Sequence, residues 1–172
     1  MIPFSGFGGF WQLAWVTPDL ETSLETFRTV YGVPSFFVMD QEFPARVFGE
    51  TGVMKLRIAL ANVDEIQLEL IQPMGGIDRI YREVLPADGS HANVFHHVCM
   101  KVEGELDDWD AHLDTLKPPH REIAYVGDVG EGARFVYTDE RKSCGFYVEH
   151  VWFSGETQRT LAAAIPHFQS KA

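Results

Sequence analysis

The sequence predicts an α+β fold in which two tandem βαβββ modules build one curved mixed sheet. Three observations carry this. An apolar strand runs into an amphipathic helix twice; three β-rich runs follow each helix; and the halves align at an offset of about 85 residues, which sets Gln12 on His97 and Leu24 on Trp109.

The first module, 10–73, opens with FWQLAWV at 10–16, a run with strand composition. Leu20, Leu24, Phe27 and Tyr31 then recur at helical spacing, with Thr17, Pro18 and Asp19 suited to the cap and first turn and Gly32 to the end. SFFVMD reads as the next strand, a loop is expected from about Phe43 to Gly52, and VMKLRIALA (53–61) and EIQLELIQP (65–73) are two strands joined by the turn NVD. Residues 74–94 form a linker around a short helical pattern of Ile77, Ile80, Tyr81, Val84 and Leu85.

The second module, 95–152, repeats the plan. FHHVCMKV is a strand, Leu106, Trp109, Leu113 and Leu116 mark a helix that Pro118 and Pro119 stop, and REIAYVG, ARFVYTD and GFYVEHVW are strands. Residues 153–172 read as a short helix and tail outside both repeats, so residues 1–172 form a single domain.

At 172 residues and 45% hydrophobic content, the chain can bury one sizeable core. A formal net charge of −11 repels phosphate backbones and anionic lipid heads, which excludes nucleic acid and membrane surfaces as expected partners. The opening residues lack a secretory pattern and no apolar run is long enough to span a bilayer, so a cytoplasmic location is expected. Cys99 and Cys144 are too few for a disulfide framework and read as reduced thiols.

The duplication puts a polar residue at two equivalent places in each half: Gln12 and His97 in the opening strands, Glu69 and Glu149 in the closing ones. Strand alternation groups Gln67, Glu69 and Ile71 on one face and Tyr147, Glu149 and Val151 on another. Taken singly, each is an ordinary solvent-facing or satisfied core residue. Their co-occurrence at repeat-related positions points to a divalent cation, which makes the burial of two neighbouring carboxylates favourable. Two carboxylates, an amide oxygen and an imidazole suit one octahedral ion with two open positions; Ni, Co, Mn, Zn, Fe(II) and Mg are all admissible.

QLAWVTPDLETSLETFRTVYGV, IQLELIQP, FHHVCMKV and GFYVEH resemble the vicinal oxygen chelate superfamily across residues 10–152. That superfamily includes glyoxalase I, methylmalonyl-CoA epimerase, extradiol dioxygenases and bleomycin-resistance proteins. The resemblance implies metal ligands at Gln12, Glu69, His97 and Glu149, a set similar in type and order to that of human-type glyoxalase I, with His96 turned to the opposite face for packing. Gln12 breaks the two-histidine, one-carboxylate pattern that ring-cleaving iron enzymes need.

The implied chemistry is that of a metal-dependent isomerase, epimerase or lyase, acting on a small substrate with two neighbouring oxygens and stabilising an enolate or enediolate. Glu149 is the expected base. Lys55, which stands where the epimerase has a second acid–base carboxylate, is a candidate catalytic residue, and Arg57 a candidate substrate anchor; the competing reading of both is a solvated strand face. Phe7, Phe10, Trp11, Trp15, Phe36 and Phe37 suggest an apolar or aromatic substrate pocket. A homodimer is expected. The alternative is a metal-free small-molecule binding protein of the drug-sequestration type.

Overall fold

The first module runs β1 (Phe10–Val16), α1 (Leu20–Thr29), β2 (Phe37–Val47), β3 (Glu50–Val63) and β4 (Ile66–Gly76). After α2 (Arg79–Arg82), the second runs β5 (Val94–Lys101), α3 (Leu106–Leu116), β6 (Ile123–Val129), β7 (Ala133–Asp139) and β8 (Tyr147–Phe153), and α4 (Gly155–Ala164) and β9 (His167–Phe168) follow. These elements belong to a computed structural model that describes residues 10–116 and 121–170. Phe7, Pro118 and Pro119 lie outside the described residues.

Strand order is the same in the two modules, β1-β4-β3-β2 and β5-β8-β7-β6. The opening strand pairs parallel with the closing one in each case. The modules meet antiparallel at β1–β5 and again at β2–β6, so eight strands curve into a barrel. A strand that pairs on both sides hides no edge and leaves no unpaired backbone row to solvent. β9 adds a short parallel pairing to β3 at Asn62 and Val63.

The loop expected from Phe43 to Gly52 is instead the end of a long hairpin. β2 continues to Val47, β3 starts at Glu50, and only Phe48 (φ 47°) and Gly49 (φ 86°) turn the chain, both in the left-handed region that a type I′ hairpin turn requires. Pro44 sits where β2 has a ladder partner only on the β3 side, so its missing N–H costs no sheet bond. The extension matters because Ala45, Arg46 and Val47 are the residues that pair with β6 and close the barrel.

α1 starts as expected: the Asp19 carboxylate accepts from the backbone N–H groups of Glu21 and Thr22. Leu20 and Phe27 pack with Ala59, Ala61 and Leu70 on the outer face of the first module. Tyr31, counted above in the apolar stripe, falls beyond the helix and is 66% exposed. α3 does the equivalent job on the second module, burying Trp109 and Leu116 against Val136 and Trp152. The largest core cluster lies inside the barrel and includes Leu56, Ile58, Ile71, Tyr81, Tyr125 and Tyr137. The segment read as a tail joins that core: Ile165 is buried and Leu161 packs against the cluster. No described helix is long and apolar enough to cross a membrane.

Candidate functional site

Register across the middle of the sheet sets two rows of residues side by side. One row runs Gln67, Gln12, Cys99, Glu149; the next runs Glu69, Ala14, His97, Tyr147. The alternation of each strand turns Glu69 and Glu149 into the barrel, where both are buried. Glu69, His97 and Glu149 offer ligand atoms that all lie within 4.8 Å of one another.

His97 is at the centre. Its Nε2 is 3.1 Å from Glu149 Oε2, 3.3 Å from Glu69 Oε2 and 3.3 Å from the Tyr137 hydroxyl. Burial pulls its pKa down, but hydrogen bonds and charge from Glu149 and Glu69 outweigh that and hold the imidazole at about 9. In this state the imidazolium balances the carboxylates. Glu69 is itself shifted up, mainly by burial, with His97 opposing and the charge of Glu149 adding to it.

Gln12 lines the same cavity as Glu69 and Glu149. Its Nε2 donates to Gln67 Oε1 at 2.7 Å, and Gln67 Nε2 donates in turn to Asn62 Oδ1 at 3.1 Å. That leaves Gln12 Oε1 buried with no hydrogen-bond partner. An orphaned buried oxygen on a residue that lines the same cavity as two buried carboxylates, themselves clustered with an imidazole, gives a set of ligand atoms that suits a divalent cation. The residues present therefore fit such an ion.

Two β-bulges decide what else reaches this point. Between Ala14–His97 and Trp15–Phe95 the register of β5 gains one residue, His96, and between Phe10–Met100 and Gln12–Cys99 that of β1 gains Trp11. Strict alternation put His96 on the opposite face for packing; the bulge instead lets its ring meet that of His97, with the two Nδ1 atoms 2.9 Å apart. Trp11 likewise lines the cavity together with its neighbour Gln12.

Lys55 and Arg57 are corrected by the same alternation. Leu56, Ile58 and Leu60 of β3 face the cavity, so Lys55 and Arg57 point outward. Lys55 Nζ pairs with Glu42 at 3.1 Å, and Arg57 pairs with Glu21 at 3.1 Å and with Asp40 at 3.6 Å. Both take part in cross-strand ion pairs on the outer surface, and neither is among the residues lining the cavity with Glu149.

The cavity has a volume of about 190 Å³. Its walls are mainly aromatic and aliphatic, and no lysine or arginine occurs among the described residues lining it. Thr157 and Leu161 of α4 form part of its wall, so the C-terminal helix covers one side. Tyr81 and Tyr137 were missed in the sequence. Their hydroxyls are 3.0 Å apart, and burial pushes both phenols well above their ordinary pKa, so they stay protonated beside the carboxylates. The only signal for Tyr81 was its place in the linker's apolar pattern, and Tyr137 reads as one of several strand aromatics.

Solved structures share this architecture. Methylmalonyl-CoA epimerase from Mycobacterium tuberculosis is similar with a TM-score of 0.56 at 16% identity, covering 95% of this chain and 97% of that one. A hypothetical protein from Bacillus halodurans C-125 is similar with a TM-score of 0.52 at 11% identity, covering 84% of this chain and 94% of that one. No curated protein matches in sequence. The family model described as the glyoxalase/bleomycin resistance protein/dioxygenase superfamily matches residues 11–137, and with the two-module barrel around a buried Glu-His-Glu cluster it assigns the chain to that superfamily, also called vicinal oxygen chelate.

Proposed function

We propose that the protein is a divalent-metal-dependent enzyme of the isomerase, epimerase or lyase type, which takes a small substrate with two neighbouring oxygens on an otherwise uncharged, apolar or aromatic body. The observation that carries this is the buried set of Glu69, His97, Glu149 and the orphaned Gln12 Oε1 at an apolar cavity whose described lining has no lysine or arginine. Gln12, Glu69, His97 and Glu149 would hold the ion. When bound, it supplies Lewis-acid stabilisation of an enolate- or enediolate-like oxyanion.

The chain's own residues do the rest. Glu149, at the cavity wall among apolar neighbours, accepts the proton from the carbon beside the carbonyl. Tyr137, within reach of His97 Nε2 and backed by Tyr81, is placed to donate a hydrogen bond to a substrate oxygen. Phe43, Leu56, Ile58 and Phe135 exclude water and favour an apolar body.

Charge argues against a substrate with a free carboxylate or phosphate, because the described cavity lining offers no side-chain cation to receive it. β3 also presents only Leu56, Ile58 and Leu60 to the cavity, so a second carboxylate base on that strand is missing. Two-base inversion of methylmalonyl-CoA, the reaction for which the similar epimerase is named, should therefore be absent or very weak.

Elemental analysis of protein purified without chelator tests the metal reading, with about one divalent ion per chain expected. Persistent absence of metal from well-folded protein, even after re-loading, would overturn it in favour of a metal-free binding protein. Solvent deuterium exchange into α-hydroxy ketones and 1,2-dicarbonyls with apolar substituents then tests the substrate class.

A further inference from the structure

We infer that His96 is a positioning residue that fixes the His97 ring so that Nε2, and not Nδ1, is the nitrogen offered to the cation. This rests on the metal reading above. The hydrogen bonds decide the direction. His96 Nε2 lies 3.0 Å from the backbone carbonyl of Ile80, which can only accept, so Nε2 carries a hydrogen. With its hydrogen on Nε2, the neutral form of the His96 ring offers only a lone pair at Nδ1. The 2.9 Å contact between the two Nδ1 atoms then requires the hydrogen to sit on His97. With Nδ1–H committed to His96, His97 presents Nε2 to Glu69 and Glu149, 3.3 and 3.1 Å away.

The His96 ring is held in place by its surroundings. It is buried between the rings of Tyr81 and Tyr147, each with its centroid 4.9 Å away and inclined by 36° and 34°. The carbonyl comes from α2 in the linker, so the linker helix anchors a ligand of the second module through one imidazole. A bulge is what makes this possible, because without the extra residue neighbouring side chains on a strand would face apart. Partners that orient a ligating histidine are commonly worth 10–100-fold in metal affinity.

Two measurements test this. In ¹⁵N-histidine-labelled, metal-free wild type, a coupling across the hydrogen bond between His97 Nδ1 and His96 Nδ1 is expected, with His96 as its Nε2–H tautomer. In chelator competition with Zn(II), His96→Phe, which keeps the stacking and removes both hydrogen bonds, should bind about 10–100-fold more weakly than wild type. His96→Gln, whose amide can accept from His97 and donate to Ile80, should recover to within several-fold, and it also serves if His96→Phe fails to fold. Unchanged Zn(II) affinity in a folded His96→Phe, or a His96 hydrogen on Nδ1, would overturn the inference alone. No binding of Zn(II), Ni(II), Co(II), Mn(II), Fe(II) or Mg(II) by the wild type would overturn the metal reading itself.

Discussion

In the first module Gln12 gives its amide N–H to Gln67, which is tied to Asn62, and leaves its carbonyl oxygen free inside the barrel. In the second, by our reading of the tautomers, His97 gives Nδ1–H to His96, which is tied to Ile80, and leaves Nε2 facing the carboxylates. Both modules tie down one N–H of the side chain and leave its other polar atom facing the site. The chemistry differs, though, because an amide stays neutral at every pH while an imidazole takes up a proton. The duplicated frame sets where the groups stand, and the choice of residue makes the second module the pH-sensitive and more basic half of the site.

Exchanging the repeat-related carboxylates breaks the comparison most sharply. Glu149→Gln keeps shape and an oxygen donor but loses basicity. Turnover should fall by about 10²–10⁴, the usual worth of a positioned base, with near-native folding and measurable metal binding. Glu69→Gln should mainly weaken metal binding, with much of the turnover restored at saturating metal. Equal turnover in the two variants at full metal occupancy would show that neither carboxylate is the dedicated base.

The opening-strand residues come next. His97→Ala should lower Zn(II) affinity by about 100-fold or more, and Gln12→Ala by about tenfold, since an imidazole is the stronger ligand and an amide oxygen the weaker. Isothermal titration or chelator competition separates them. Losses in the reverse order would mean that the first module dominates the ion's affinity.

pH sharpens the same contrast. In the metal-free protein His97 keeps its Nε2 proton up to about pH 9, so metal must displace it. Zn(II) affinity should rise by about tenfold per unit from near pH 6.5 to 9, with close to one proton released per ion in unbuffered titrations. The sign for stability is the opposite. A folded-state pKa raised above that of the unfolded chain favours the fold fully below about 6.5, and that contribution is lost as pH climbs through 9. The melting temperature of chelator-treated protein should fall across this window, and His97→Ala should flatten the fall.

The smallest effect is expected outside the barrel. Lys55→Ala and Arg57→Ala remove half-exposed ion pairs, each worth about 0–1 kcal/mol, and should change turnover less than about twofold. A large loss of activity would return these residues to the site.

What was legible in the sequence was local and periodic. Two-residue alternation selected Glu69 and Glu149, the helical spacing found α1 and α3, and the 85-residue offset paired Gln12 with His97. Each of these depends on neighbours a few residues apart, or on the same pattern occurring twice. Parity alone also held the reason Lys55 and Arg57 face outward, once Leu56, Ile58 and Leu60 are known to face in.

The tertiary structure decided the rest. Whether β2 stops at Phe43 or runs on to meet β6 depends on a strand about 80 residues away, and so does closure of the barrel. The bulges that turn His96 toward His97 and bring Trp11 into the cavity beside Gln12 are properties of the β1–β5 pair, invisible in either strand taken singly. Tyr81 and Tyr137 meet only because the linker helix and β7 contribute to one core cluster, and α4 reaches the cavity only because the chain after β8 packs across its wall. By itself, then, the sequence determined which residue types line up within each module. Which of them share one buried space was decided by pairing between strands distant in the chain, because side-chain direction at a bulge or a barrel seam is set by the partner strand.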